Sequence, residues 1–180
     1  MKTKITEQIE IPSSVECEYK DKILICKKGS LELKRKIAIP KVKISLKDGN
    51  IIFHSEKATK IEKKSIVSFI YHIKNMFQGL DKKFAYKLES CNVHFPMTLK
   101  VEGSRLIINN FLGEKTPRHA NILPNVDVQI KGNLITISSH EKESAGQTAA
   151  NFEKSTKVTN RDRRIFQDGI YITEKPGEGE

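Results

Sequence analysis

What this chain has little of already narrows its class. No run among its 180 residues approaches the ~18 apolar residues of a membrane-spanning helix. The opening Met1-Lys2-Thr3-Lys4-Ile5-Thr6-Glu7 carries no apolar segment, so a secretory signal is not expected. Cysteine is scarce: Cys17, Cys26 and Cys91 form no CxxC pair. An odd count without a secretory signal reads as free thiols in a reducing compartment, which argues against a disulfide scaffold and a zinc ribbon.

Catalytic motifs are missing as well. The five histidines, His54, His72, His94, His119 and His140, are scattered, and none belongs to an HExxH pattern. Gly113-Glu114-Lys115-Thr116 looks like the end of a phosphate loop, but the GxxxxGK[ST] order is absent. No GxGxxG or GxSxG occurs. Cys91 and His94 stand three apart and could be a catalytic dyad or two structural residues. The residues call for no catalytic group, no cofactor and no metal.

What the chain does have is positive charge: 32 Lys+Arg against 22 Asp+Glu, a net +10. That surplus suits a polyanion such as nucleic acid, or merely keeps a soluble protein dispersed. Residues 1–84 hold 19 basic and 10 acidic residues, and residues 85–180 hold 13 and 12. The first part is therefore strongly basic but diffusely so. The second is nearly neutral, yet it contains the densest basic segment: Lys154, Lys157, Arg161, Arg163 and Arg164, against Asp162 alone. Clustering matters more than totals, because counterion release counts the phosphates actually touched.

The chain also repeats itself. Lys22-Ile23-Leu24-Ile25 matches Arg105-Leu106-Ile107-Ile108. The stretch from Val42 to Asn50 matches Val126 to Asn133 with one residue dropped. Thr59 precedes a helical pattern much as Ser144 does. Three matches in one order predict a duplication, with halves over 1–83 and 84–180.

Each half reads as short strands followed by one helix. Val15, Cys17 and Tyr19 alternate with charged residues, as do Leu31 and Leu33, and then Val42, Ile44 and Leu46. Asp48-Gly49 is a hairpin turn signal. Ile66, Phe69, Ile70, Ile73, Met76, Phe77 and Leu80 then form one helical stripe, opened by a Thr59/Glu62 capping box, and Gly79 can stop it. In the second half Val93 to Val101 reads as extended, and Leu106 to Asn110 follows. A helix from a Ser144/Gln147 capping box runs to about Lys157. The expected fold is α+β: two tandem similar domains, each a small antiparallel sheet with one main helix.

On the last helix, Ala145, Ala149, Phe152 and Thr156 share one side, and Gln147, Asn151 and Lys154 share the other. Gly146, Ala149 and Ala150 are small enough to admit a close backbone. The polar face is either solvated or set against a polar surface. The loop Gly113 to Arg118 is either an ordinary turn or a basic loop that presents Lys115 and Arg118.

Three stretches go beyond pattern: Asn110 to Arg118, Gly146 to Asn151, and Arg161 to Ile172. Together they resemble the ribosomal protein L-six family, the universal large-subunit protein six. Phe166-Gln167-Asp168-Gly169 is similar to its archaeal and eukaryotic branch. The resemblance implies a non-enzymatic, cytoplasmic constituent of the large ribosomal subunit. It implies binding to large-subunit RNA near the sarcin–ricin loop, beside neighbouring ribosomal proteins and the landing site of translational GTPases. It also implies that the second domain makes the main RNA contacts. Carried onto this sequence, these fall on Lys115, Arg118, Gln147, Thr148, Asn151, Lys154, Lys157, Arg161, Arg163 and Arg164. Ala145 and Phe152 depart from the family pattern and are expected in the core. The competing classes are a free-standing RNA-binding module and an enzyme acting on a nucleotide.

Overall fold

The computed structural model describes residues 3–47, 49–162 and 164–177, and Arg163 lies outside them. The chain divides into two compact units, Met1–Lys82 and Lys83–Glu180. In the first unit, β1 (Thr3–Glu10) pairs with β6 (Asn50–Ala58), which pairs with β5 (Lys43–Lys47). A separate sheet joins β2 (Glu16–Lys20), β3 (Ile23–Lys28) and β4 (Leu31–Lys36). Every pairing is antiparallel. α1 (Lys60–Asp81) packs against β1, β3, β4 and β6. Its buried Ile66, Ile73, Met76, Phe77 and Leu80 close a core with Leu24, Ile51 and Phe53.

The second unit repeats the plan. Here β7 (Phe84–Cys91), β12 (Leu134–Ser139) and β11 (Asp127–Lys131) follow the order of β1, β6 and β5. Likewise β8 (Thr98–Glu102), β9 (Arg105–Asn109) and β10 (Arg118–Asn121) follow β2, β3 and β4. α2 (Lys142–Ser155) covers the larger sheet, to which β13 (Gly169–Glu174) adds a fourth strand beside β7. Ala145 and Phe152 are fully buried, as expected. The α+β class with two tandem similar domains thus stands.

The repeat is in fact more regular than the sequence matching suggested. The β5–β6 and β11–β12 hairpins close on Lys47 with Asn50 and on Lys131 with Leu134, so no residue is dropped. Buried Ser55 and Ser139 occupy equivalent places, 84 apart. Each donates its hydroxyl to a carbonyl, Lys41 at 2.9 Å and Asn125 at 2.7 Å. Both acceptors have positive φ, 62° and 59°. By contrast, matching Lys22–Ile25 to Arg105–Ile108 is one residue out of register. Leu24 and Cys26 are buried in β3, and Leu106 and Ile108 are buried in β9, so Leu24 corresponds to Leu106. A one-residue slip in a period-two element exchanges its faces.

Several boundaries also differ from expectation. Thr59 accepts from Ile61 N–H at 3.3 Å and Glu62 accepts from Thr59 N–H at 2.8 Å, so the first capping box is present. The hydroxyl and then the N–H of Thr59 hold the Glu62 carboxyl below its usual range. Gly79 does not end α1: it is buried within it, and the helix stops at Asp81. The Ser144/Gln147 box is absent. α2 starts two residues before Ser144, with Glu141 at its N-cap, and the Ser144 hydroxyl donates to the Glu141 carboxylate at 2.6 Å. It ends at Ser155. Residues 92–97 are irregular instead of extended, because Val93 and His94 direct their N–H groups to the Asp168 side chain and not to a strand.

Candidate nucleic-acid interface

The expected contact residues lie on three segments of the second unit: the loop 113–118, α2, and the connector 156–168 that leads to β13. Arg118 joins the first two. Its guanidinium donates to both carboxylate oxygens of Glu114, at 2.7 and 2.5 Å, and stacks 4.2 Å above the Phe111 ring. It also donates to the Ser155 carbonyl at 2.9 Å and the Lys157 carbonyl at 3.4 Å. The last carbonyls of a helix lack intrahelical donors, and a cation there also opposes the helix dipole favourably. Arg118 is therefore a clamp inside the unit, with little of its fork left for phosphate. Its hydrogen bond holds the Glu114 carboxyl below the usual range, against burial, and the nearby Arg161 charge adds to this.

The connector is pinned at both ends. Buried Thr156 accepts from the Ile170 N–H at 2.9 Å. Near the other end, buried Asp168 accepts from Val93 N–H at 2.7 Å and His94 N–H at 2.9 Å, and its second oxygen meets His94 Nδ1 at 2.6 Å. Burial pushes the Asp168 carboxyl up, but the hydrogen bonds from His94 and Val93 together bring it below the usual range. The His94 ring stacks on Phe166 at 4.9 Å, and Arg161 lies 4.8 Å over the other participant, Phe166. Gly169, at φ 155°, follows directly. A Cβ there would come within 3.3 Å of the Tyr171 ring and 3.4 Å of Thr156 Oγ1.

The remaining cations face outward. Lys115, Lys154, Lys157 and Arg164 are exposed, and no ion pair engages their side chains among the described residues. Lys154 and Lys157 border a groove of about 490 Å³ that Ala150, Phe166 and Tyr171 also line. On α2, Gln147 donates to Asn151 at 3.0 Å, and Asn151 donates to the Asn121 carbonyl at 3.1 Å.

The family model described as "Ribosomal protein L6" matches residues 95–169, which fall within the second unit. "Large ribosomal subunit protein uL6" of Methanococcus vannielii is 42% identical over 174 residues, spanning 97% of this chain and 96% of that one. The chain belongs to the ribosomal protein L6 family.

L6 proteins are structural components of the ribosome and not enzymes, so the nucleotide-enzyme reading of Gly113–Thr116 and of Cys91 with His94 falls. In this L6 chain the His94 ring is taken up by Asp168 instead. Two further readings change with the geometry. Thr148 is fully buried: its hydroxyl accepts from Leu123 N–H at 3.2 Å and donates to the Ser144 carbonyl at 2.8 Å. It has no face to offer a partner, because its place in the helical period puts it beside Ala145, Ala149 and Phe152. Nor does the small Gly146 admit an outside backbone, since a Cβ there would meet the Tyr86 hydroxyl of β7 at 2.8 Å.

Sequence reasoning missed the residues that hold the cations in place: Phe111, Glu114, His94, Phe166 and Asp168. Their partners are 4 to 75 positions away, too varied for a local pattern to show. The one available signal was the Phe166–Gly169 stretch, which carried the family likeness without indicating what Asp168 does.

Proposed function

We propose that this chain is a structural constituent of the large ribosomal subunit and that its second unit is the main rRNA-binding domain. The RNA it contacts lies near the sarcin–ricin loop, beside the site visited by translational GTPases, within cytoplasmic ribosomes. The first unit, basic but diffusely so, faces neighbouring ribosomal proteins or RNA more weakly.

One observation carries this reading. Lys154 and Lys157 border one groove at the C-terminal end of α2, Arg118 ties to that end the loop that carries Lys115, and Thr156 and Asp168 hold the connector that carries Arg161 and Arg164. Folded RNA is recognised largely through shape, phosphate and 2′-hydroxyl groups. Lys115, Lys154, Lys157, Arg161 and Arg164 would neutralise phosphate, Arg163 with them, while Gln147 and Asn151 reach sugar or base edges. Arg118 and Thr148 act from inside the unit and not at the RNA.

The test is a titration of the full chain against a large-subunit rRNA fragment containing the sarcin–ricin region, with a scrambled control, over a salt series. The wild type should bind the native fragment selectively at moderate salt. Replacing Lys115, Lys154, Lys157 and Arg164 together with alanine should reduce the salt slope by about 3, at ~0.7–0.9 per lost phosphate contact. An unchanged slope in a variant that unfolds like wild type would refute the assignment.

A further inference from the structure

The first unit contains a pair of thiols for which RNA binding has no use. Cys17 on β2 and Cys26 on β3 are direct partners in the antiparallel register. Their sulfurs lie 3.1 Å apart. Directly opposed antiparallel residues have Cα atoms about 4.5–5.5 Å apart, within the ~4.4–6.8 Å that a disulfide spans. Both thiols are free. Closing the sulfur gap by about 1 Å would reach bonding distance, with the backbone pairing already in place.

The two sulfurs differ in environment. Cys26 is fully buried in the core under α1, next to Leu33 on β4. Cys17 is half-buried at the margin of that core, on a strand whose neighbouring Glu16, Glu18 and Lys20 are exposed. The hydrogen bond with Cys26 lowers the Cys17 thiol pKa below its ordinary value, outweighing burial, whereas the same contact and then burial push Cys26 far up. The half-buried Cys17 sulfur is therefore the one a small oxidant can reach, with the buried Cys26 thiol in contact behind it. Cys91 provides an internal comparison: half-buried, with no cysteine partner, and pushed up by burial and by the Glu89 and Asp168 charges.

We propose that Cys17 and Cys26 are a site of reversible oxidation by hydroperoxides, with Cys17 as the attacking sulfur and Cys26 as the resolving one. In the first step the Cys17 thiolate attacks one peroxide oxygen. The S–O bond forms, the O–O bond breaks, and the leaving oxygen departs as water after taking up a proton. Cys26 then attacks the Cys17 sulfur. The S–S bond forms, the S–O bond breaks, and the departing hydroxide takes the Cys26 proton as a second water. Two thiols and one hydrogen peroxide thus give one disulfide and two waters, and a thiol reductant reverses the change. The bond staples the β2–β3 hairpin across its turn.

The full-length protein is treated with one to a few equivalents of hydrogen peroxide at neutral pH, alkylated, digested without reductant and mapped by mass. A Cys17–Cys26 cross-linked peptide lighter by two hydrogens should appear, with Cys91 still alkylated. The cross-link should form at least tenfold faster than Cys91 is oxidised, and dithiothreitol should remove it. In Cys26→Ser, Cys17 should accumulate as a dimedone-reactive sulfenic acid, and Cys17→Ser should leave Cys26 unmodified. Oxidation of Cys17 to sulfinic acid in the wild type while Cys26 remains alkylatable would overturn the proposal. So would oxidation of Cys91 at an equal or faster rate. Both readouts come from wild-type protein, so they stand even if a variant fails to fold.

Discussion

Asp168 ties the 92–97 segment to the end of the connector and is not among the proposed RNA contacts. Replacing it with alanine leaves the N–H groups of Val93 and His94 without their acceptor and the His94 ring without its partner. An unmet buried donor costs about 1–3 kcal/mol, and two donors in a part-buried loop at the lower end of that range cost about 2–3 kcal/mol together. For a unit of this size that corresponds to about 10–20 °C in unfolding midpoint, at ~4–8 °C per kcal/mol. Asp168→Asn keeps an oxygen in place but loses the charge assistance, and should cost about 1 kcal/mol.

The pH dependence has a definite sign. The folded Asp168 carboxyl lies below its usual range, because the hydrogen bonds from His94 and Val93 together outweigh burial. Its contribution is therefore present above the unfolded carboxyl's pKa, about 3.9, and is lost as the pH falls through the lower folded value. The wild type should exceed Asp168→Asn in stability at neutral pH, the difference should begin to shrink near pH 4, and the two should converge only below the folded carboxyl's lowered value. Calorimetry gives the midpoints, and amide exchange at Val93 and His94 gives the local effect. A midpoint change in Asp168→Ala below about 2 °C, with both amides still protected, would refute this account.

Arg118→Lys keeps the charge but loses the fork on Glu114 and the stacking on Phe111. It should cost about 1–2 kcal/mol in urea unfolding while leaving the salt slope of RNA binding unchanged, since the residue points inward. Thr148→Val keeps the shape and removes both hydroxyl hydrogen bonds. It should cost about 1–2 kcal/mol in the same assay, with rRNA affinity intact below the unfolding temperature, and a selective loss of affinity would restore Thr148 to the contact set. Gly169→Ala forces a side chain onto positive φ against Thr156 and Tyr171. It should cost about 1–3 kcal/mol, with wild-type stability as the contrary result.

The parts of this protein that were legible in its sequence are those governed by local periodicity. The α1 stripe was read correctly because every member recurs at helical spacing on one face. The Thr59/Glu62 cap was read because both partners lie within one turn. The Ser144/Gln147 pattern failed because a competing start lay just upstream, where Glu141 takes the N-cap and Ser144 bonds to it. Gly79 is a possible stop by sequence, because a buried glycine inside a helix and one that ends it look alike without tertiary context. β7 was missed although Phe84, Tyr86 and Leu88 alternate with exposed residues, and β13 is a strand only because β7 offers an edge. The family resemblance puts Arg118 and Thr148 at the interface. Only the fold shows that their polar atoms are used internally.

The two units share a plan, but the second extends it, and under the proposed function that extension is where the charge acts. In the first unit the chain leaves α1 at Asp81 and enters β7 within a few residues. In the second, residues 156–168 return from the end of α2 to the outer edge of β7 and add β13 there. This connector carries Lys157, Arg161 and Arg164, and it is held by Thr156 at one end and Asp168 at the other. The first unit's larger surplus lies instead dispersed along strands and a helix. Affinity for a polyanion depends on how many cations reach phosphates together, and fixing their spacing before binding reduces the entropy lost on contact. On the proposed function, a nearly neutral domain with a pinned basic connector would therefore hold RNA more selectively than a strongly basic domain whose lysines are dispersed.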